Sequence, residues 1–196
     1  ADYTYGNLDP RYVDAIRQFE GFTPRAKWDV RQNSNGYGTR ARYPGEVIDK
    51  AEAERRLHEE LTRAAGIVDS YASNLDPGTR AALASLTYNS GGDWMKAGLG
   101  QAVRAGDWDA ARQSFGQYTK AGGQHLPGLA NRRNAELGWF GAGAGATQPA
   151  QGQPQPGPVQ ATYPFPAPMA LGAPREPVQA PSEVLAQNYG SGAPQP

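Results

Sequence analysis

The stretch from Phe19 to Thr39, FEGFTPRAKWDVRQNSNGYGT, holds two acids whose spacing could support acid–base chemistry. Glu20 stands before a glycine, and Asp29 follows nine residues later, ahead of a Gly-rich segment. Glycoside hydrolysis requires such a pair: one carboxylic acid gives a proton, and a second carboxylate handles a water or a developing positive charge. Each acid alone has a simpler explanation, as a surface glutamate and as a turn-capping aspartate. The elements around them must therefore bring them together.

The segment LDPRYVDAIRQFEG predicts a helix that ends at Glu20. Asp9 is a good N-cap, Pro10 suits the first helical position, and Gly21 supplies the stop. One apolar face is formed at helical spacing by Tyr12, Ala15, Ile16 and Phe19. Glu20 then lies at the edge of the buried face, where partial burial, the negative helix end and a nearby carboxylate favour the protonated form of a general acid.

Residues 23–43 lack a helical period, and we expect a small hairpin or short sheet there. Trp28 and Val30 alternate with polar residues, and Asn35-Gly36 is a turn signal. A chain folded back in this way would let Asp29 face Glu20 across a groove. A carboxyl separation wide enough for a water would mean inversion, whereas a closer pair would allow a covalent intermediate.

The following residues predict a mostly helical domain. Asp49 and Glu52 form a capping-box pattern at the start of a long amphipathic helix, and its buried side is marked by Leu57, Leu61, Ala64, Val68 and Tyr71. Asp76-Pro77 starts an Ala- and Leu-rich helix that is apolar on most sides and should be central. Shorter helices are expected around 97–105, 107–118 and 129–139. The fold class is therefore α+β, mostly helical, with a small β element near the N-terminus.

Composition divides the chain near residue 140. Residues 1–140 hold 18 of the 19 Lys and Arg, 17 of the 19 acids and all four Trp, whereas residues 141–196 hold 12 of the 17 Pro. Only the first part has enough large apolar residues to bury a core. We therefore predict a folded domain at 1–140 and a Pro/Gly/Ala/Gln-rich tail at 141–196. The tail serves either as a linker or as a docking arm with the anchors Tyr163, Phe165 and Met169.

The composition also disfavours several partners. A net charge of zero and the lack of a basic, aromatic-rich patch argue against nucleic acid. His58 and His125 lie far apart and there is no cysteine, so no metal and no cofactor are expected. No apolar run is long enough for a membrane span, and no apolar export signal opens the chain.

The acids and the glycines together resemble the phage-type lysozymes (endolysins) of the T4 lysozyme-like glycoside hydrolase family. That family's motif is a Glu, eight residues, an Asp, five residues, a Thr and then a Gly-aromatic-Gly turn. Glu20 and Asp29 match the acids at the family spacing, and Gly36-Tyr37-Gly38 matches the turn. The stretches AALASLTYNSGG and GLANRRNAELGWF are similar to the family's central and closing helices, so the resemblance covers about residues 9–140.

The resemblance implies a lysozyme-like fold and cleavage of the β-1,4 bond between N-acetylmuramic acid and N-acetylglucosamine in peptidoglycan. Glu20 would be the general acid. Asp29 would position the attacking water or stabilise the oxocarbenium-like charge. Ser34 aligns with the family's Thr, but one residue fewer separates it from Asp29; Thr39, after the turn, is the rival.

Three further residues are assigned to substrate binding by the resemblance. Tyr37 belongs to the turn, and Asn89 matches a position that contacts sugar in the family, although it could equally be a helix C-cap. Arg132 is the arginine expected to orient Glu20; its simpler explanation is a cation on a helix surface.

The leading hypothesis is a phage or prophage muramidase that acts on glycan strands of the bacterial wall. Such a protein would be made in the host cytoplasm and reach the wall through membrane holes, or be carried in a virion with residues 141–196 bound to a virion or other protein. A lytic transglycosylase is the first alternative, and Asp29 argues against it. A non-catalytic wall-binding or virion structural protein is the second.

Overall fold

The structure, a computed structural model, describes residues 2–29 and 32–141. The predicted tail anchors lie outside the described residues. In chain order the elements are α1 Pro10–Glu20, β1 Thr23–Trp28, β2 Asn33–Gly36, β3 Thr39–Arg40, α2 Lys50–Tyr71, α3 Pro77–Ser90, α4 Gly98–Ala105, α5 Trp108–Phe115, β4 Lys120–Ala121, β5 Gln124–His125 and α6 Pro127–Leu137. The predicted α+β, mostly helical class with an N-terminal β element is confirmed.

Helix α1 begins and ends where the sequence predicts. The Asp9 carboxylate accepts a hydrogen bond from the Arg11 amide at 3.0 Å, and Pro10 occupies the first helical position. At the other end the Gly21 amide donates to the Arg17 carbonyl at 2.9 Å. Glu20 is therefore the last residue of α1. The predicted caps Asp49 and Asp76 likewise begin α2 and α3.

Strands β1, β2 and β3 form an antiparallel sheet in that order. In its register Lys27 pairs with Ser34, and Ser34 pairs in turn with Arg40. The predicted sheet is present. Its tight turn falls within Gly36-Tyr37-Gly38, where the resemblance places it, and not at the Asn35-Gly36 turn signal. Asn35 and Gly36 belong to β2, and the chain reverses at Tyr37-Gly38. Strand β2 continues through Asn35 because the Asn35 side chain is buried and donates to the Glu46 carboxylate at 3.2 Å.

Helix α3 lies in the centre of the core, as its composition predicts. Its residues from Ala81 to Thr87 are all buried, and α3 contacts both α2 and α6. Helix α2 also contacts β2 and β3, so it ties the sheet to the helical part. The core side chains fully excluded from water include Ile16, Leu57, Leu61, Val68, Leu83, Leu86 and Phe115.

A second sheet, β4 with β5, was not predicted. Its two-residue turn, Gly122-Gly123, has positive φ at both positions, which is the backbone of a tight hairpin. The Gly-Gly pair was the available signal. Because this hairpin takes up residues 120–125, α5 ends at Phe115, earlier than the predicted 118, and α6 begins at Pro127. Across the described ranges, no helix has both the length and the apolar character needed to cross a membrane.

Candidate active site

The Glu20 carboxyl group lies between the end of α1 and the turn after β2. Its side chain is only 14 % exposed, and its Oε1 accepts a hydrogen bond from Arg132 Nη1 at 2.6 Å. The other oxygen faces the turn: a Cβ placed on Gly38 would lie 2.6 Å from Glu20 Oε2. The backbone of this turn thus approaches Glu20 more closely than any side chain at position 38 would allow.

Arg132 of α6 is held from three directions. Its Nε donates to Glu136 Oε1 at 2.9 Å, its Nη2 donates to the Ser85 hydroxyl at 3.0 Å, and its Nη1 reaches Glu20. Ser85 Oγ in turn donates to Glu136 Oε1 at 2.5 Å. The planar guanidinium has a fixed fork of donors, so these contacts leave it one orientation. Arg132 therefore holds the Glu20 carboxyl group by its Oε1 in one direction.

From Glu20 towards the core, charged side chains of alternating sign follow one another: Arg132, Glu136 and Arg133. Glu136 and Arg133 are fully buried, with Arg133 Nε 2.9 Å from Glu136 Oε2. Burial lowers the pKa of Arg132, but the charges of Glu20 and Glu136 outweigh burial and raise it above the ordinary value. Burial also lowers the pKa of Arg133 to about 10, which leaves a cation at neutral pH. Glu136 thus lies between the guanidiniums of Arg132 and Arg133 inside the domain, and Glu20 pairs with Arg132 from the outer side.

Asn89 stands at the outer end of this chain of charges. Its Oδ1 accepts hydrogen bonds from Arg133 Nη2 and from the Ser90 hydroxyl, both at 3.2 Å. Asn89 lies one residue before the end of α3, and the side chain is half-buried. The structure therefore connects this predicted binding residue to the buried charges through Arg133.

A hydrogen bond from α3 holds the turn beside Glu20. The Tyr88 hydroxyl donates to the Tyr37 carbonyl at 2.5 Å. Burial and then the charge of Glu20 raise the pKa of Tyr88 well above its usual range, so it stays a neutral donor. The ring of Tyr37 is buried, with its centroid 5.9 Å from that of Phe22. Tyr37 therefore presents its backbone, more than its ring, to the neighbourhood of Glu20.

Asp29 follows β1 and is tied to the next strand. Its Oδ1 accepts from the Gln32 amide at 2.9 Å, and its Oδ2 accepts a hydrogen bond from the Ser34 hydroxyl. Thr39, the rival hydroxyl, is buried and donates to the Asn35 carbonyl at 3.1 Å. Of the two hydroxyls, Ser34 is thus the one bonded to the Asp29 carboxylate, and Thr39 is used inside the sheet.

Three residues of this arrangement were missed at the sequence level: Ser85, Tyr88 and Glu136. Glu136 had a signal, since it stands four residues after Arg132 on a helix, a spacing that places the two side chains together. Ser85 is a polar residue within an apolar helix, which requires a buried partner. Within the described ranges, no three His, Cys, Asp or Glu side chains converge as ligands of a metal ion would.

The architecture just described is the lysozyme-like fold. The chain is similar to the muramidase domain of SpmX from Asticaccaulis excentricus, with a TM-score of 0.61 and 22 % identity over 68 % of this chain and 96 % of that one. It is also similar to the endolysin from Escherichia coli O157:H7 phage FAHEc1, with a TM-score of 0.60 and 24 % identity over 69 % and 93 % of the two chains. The P1 phage endolysin Lyz shares the fold at 14 % identity, with a TM-score of 0.61 over 67 % and 83 %.

The family follows from the sequence itself. The model of the phage lysozyme family matches residues 17–136, more than half of the chain, and the chain therefore belongs to that family. It is also 28 % identical over 137 residues to the endolysin of Bacillus phage B103, covering 66 % of this chain and 52 % of that protein. The chain thus spans about half the length of this relative. The resemblance drawn from the motifs is confirmed at the level of the family and the fold.

Proposed function

We propose that this chain is a peptidoglycan muramidase that hydrolyses the β-1,4 bond between N-acetylmuramic acid and N-acetylglucosamine. The observation that carries the proposal is the setting of Glu20, a largely buried carboxyl group held at 2.6 Å by Arg132 from a helix 112 residues away in sequence. Family membership and the names of its relatives, a muramidase domain and endolysins, support the same substrate.

Glu20 acts as the general acid in this proposal. Its Oε1 accepts from Arg132, so the proton is carried on Oε2, the oxygen that faces the Gly38 turn. As the bond between the anomeric carbon and the bridging oxygen breaks, this proton passes to the bridging oxygen, which leaves as a hydroxyl group. The muramic ring then carries the positive charge of an oxocarbenium ion. Arg132 acts through Glu20 as a positioning residue.

Asp29 and Ser34 handle the second half of the reaction. The Ser34 hydroxyl donates to Asp29 Oδ2, which fixes the direction of the carboxylate. Asp29 stabilises the positive charge or positions a water that attacks the anomeric carbon. The water's oxygen joins that carbon, and its proton is taken up by a carboxylate, so one water is consumed for each bond. Asn89 and the backbone of Tyr37 bind the sugars on either side.

Glu20→Gln tests the proposal, because it removes the acidic proton and keeps the shape of the side chain. We expect release of dyed fragments from purified cell walls to fall to background, with the melting temperature of the protein close to that of the wild type. Glu59→Gln is the control, since Glu59 is an exposed acid on α2. Wall release by Glu20→Gln at the wild-type rate would end the general-acid assignment.

The proposal extends to the organisation and setting of the protein. The catalytic unit is residues 1–140, and the tail, 141–196, supplies an attachment to a virion or another protein. The place of action is the bacterial wall, where glycan strands are the partner. The Gly141 amide donates to Thr79 Oγ1 at 3.1 Å, which supports a domain boundary just beyond α6.

A further inference from the structure

The sheet beside Asp29 carries an uneven share of the charge. Between residues 21 and 43 the only acid is Asp29, while the cations of that segment are Arg25, Lys27, Arg31, Arg40 and Arg42. The whole chain has a formal net charge of zero, so this excess is local. A group of like charges on a small sheet is unfavourable for folding, and a ligand of opposite charge would relieve it.

Two of these cations lie in one row with Ser34. Lys27 pairs with Ser34, and Ser34 pairs with Arg40, so the three side chains project from the same face of the sheet. Lys27 and Arg40 are both exposed. The opposite face holds Asn35 and Thr39, which are buried. The outward face therefore presents the Ser34 hydroxyl, bonded to Asp29, with a cation on each side of it.

The other described cations of the sheet have partners within the protein. Arg42 Nη2 lies 3.3 Å from the Glu52 carboxylate, and Arg25 Nη1 donates to the Gly45 carbonyl at 3.4 Å. The Lys27 and Arg40 side chains form no ion pair or hydrogen bond with another residue of the described ranges. Their charges are directed to solvent on either side of the Ser34 hydroxyl, which is bonded to Asp29.

We propose that Lys27 and Arg40 form an anion-binding subsite for the carboxylates of the peptide stems of peptidoglycan. This inference rests on the proposed function. Where a peptide stem is attached, the lactyl carboxyl group of muramic acid is tied up as an amide and N-acetylglucosamine has no charge. The free carboxylates of such a strand therefore lie on its stems. A cation on each side of Ser34 would meet a stem leaving the bound strand in either direction, and would favour strands whose stems carry free carboxylates over strands whose carboxylates are neutralised.

The test compares one wall polymer in two charge states. Peptidoglycan freed of teichoic acid is used as it is, or after its carboxylates are amidated with carbodiimide and ammonia. For Lys27→Gln/Arg40→Gln we expect kcat/KM on the untreated polymer to fall about tenfold at low salt, because two exposed charges about 5 Å from a carboxylate are lost. The difference from the wild type should vanish near 1 M salt, which screens exposed charges. On the amidated polymer the variant and the wild type should agree.

Two control variants separate charge from shape. Lys27→Arg/Arg40→Lys keeps both charges and should retain the wild-type preference for the untreated polymer. Arg11→Gln/Arg63→Gln removes two exposed cations elsewhere, since both side chains are more than half exposed on α1 and α2, and should leave the preference unchanged. An equal loss on both polymers, or no loss on either, would overturn the subsite. So would a deficit seen only on walls that keep their teichoic acid, because the anion would then be phosphate.

A binding measurement tests the anion-binding subsite separately from hydrolysis. The Glu20→Gln protein, with and without Lys27→Gln/Arg40→Gln, is mixed with untreated or amidated polymer. The fraction of protein that sediments with the polymer is measured. Weaker sedimentation of the charge variant on the untreated polymer alone supports the subsite, even if the wild type proves to have no hydrolytic activity. Inactivity of the wild type on both polymers would end the proposed function, and equal sedimentation of all pairs would end the subsite.

Discussion

The two oxygens of the Glu20 carboxyl group have different surroundings. Oε1 accepts from Arg132 at 2.6 Å, whereas Oε2 faces the backbone of the Gly38 turn. A bond to one oxygen fixes the direction of the group and, on the proposed function, leaves the other oxygen for proton transfer. The motif pointed to Glu20 as a candidate acid, but it did not reveal this difference between the two oxygens, because Arg132 comes from the other end of the domain. Partners so far apart in sequence are set by the fold and not by local pattern.

Ser34 offers a direct test of the second carboxylate. Ser34→Ala removes the hydroxyl that donates to Asp29 Oδ2, and a hydrogen bond to a charged group contributes about 1.5–3 kcal/mol. We expect kcat to fall at least about tenfold with little change in KM, because the carboxylate loses its fixed direction. Ser34→Thr keeps the hydroxyl and should retain most activity. The comparison variant is Ser70→Ala, which alters an exposed hydroxyl on α2; if Ser34→Ala were no slower than it, Ser34 would have no part in the reaction.

Among the elements, helix ends were predictable and the buried network was not. Asp9, Asp49 and Asp76 act through hydrogen bonds to amides two or three residues away, so a short window of sequence contains the whole cause. Ser85 and Glu136 meet across 51 residues, and only the packing of α3 on α6 brings them together. The Asn35-Gly36 turn signal was wrong for a similar reason, since burial of Asn35 decided that the strand continues to Gly36, while the family motif placed the turn correctly.

The turn after β2 should be intolerant of any side chain at position 38. Gly38 has φ +74°, and an added Cβ would lie 2.6 Å from Glu20 Oε2. Gly38→Ala should therefore displace Glu20 and reduce kcat by about a hundredfold or more, beyond a stability loss of about 1 kcal/mol from the backbone. Gly106→Ala is the matched control, because Gly106 has φ +68° with no atom within 4 Å of the added carbon. Equal kinetic effects in the two variants would argue against the close approach to Glu20.

The ion pair beneath the sheet predicts how stability changes with acid. Two hydrogen bonds from Arg56 to Glu46, at 2.8 and 3.0 Å, lower the pKa of Glu46 to about 2 against the opposing effect of burial. A carboxyl group with a lowered folded pKa stabilises the fold above its unfolded value of 4.5, and this contribution is lost as pH falls towards 2.

Glu46→Gln should accordingly lower the free energy of unfolding by an amount on the order of 3 kcal/mol near pH 7, as measured by urea unfolding. The difference from the wild type should shrink steadily between about pH 5 and about pH 2. The exposed acid Glu59 gives the control, Glu59→Gln. If the loss in free energy of unfolding stayed constant down to about pH 2, Glu46 would contribute through its shape and not through its charge.

At the scale of the whole molecule, the site joins the two ends of the domain. Glu20 ends the first helix, Arg132 lies in the last, and α3 carries Ser85 and Tyr88 between them. The Glu20 carboxyl group thus reaches this position only when residues from α1 to α6 have folded together. Sequence could predict the order of these elements and the family, but their mutual placement required the three-dimensional structure.

Removal of residues 142–196 tests the proposed division of labour. The shortened chain, residues 1–141, keeps every contact described here, so its melting temperature and its rate on soluble glycan fragments should match those of the full chain. If the tail is an attachment, incorporation into purified virions should be lost, as an immunoblot would show. Unchanged incorporation would remove the attachment role, and loss of folding would move the domain boundary into the tail.

The central claim is hydrolysis at muramic acid, and mass spectrometry of peptidoglycan products formed in ¹⁸O-labelled water tests it most directly. Our account predicts reducing N-acetylmuramic acid ends that carry one ¹⁸O for each bond cleaved, and none with Glu20→Gln. Anhydro-muramic ends without ¹⁸O would contradict it, because a transglycosylase consumes no water and Asp29 would have no water to position. Uncleaved glycan with a folded protein would contradict it as well, in favour of a protein that only binds the wall.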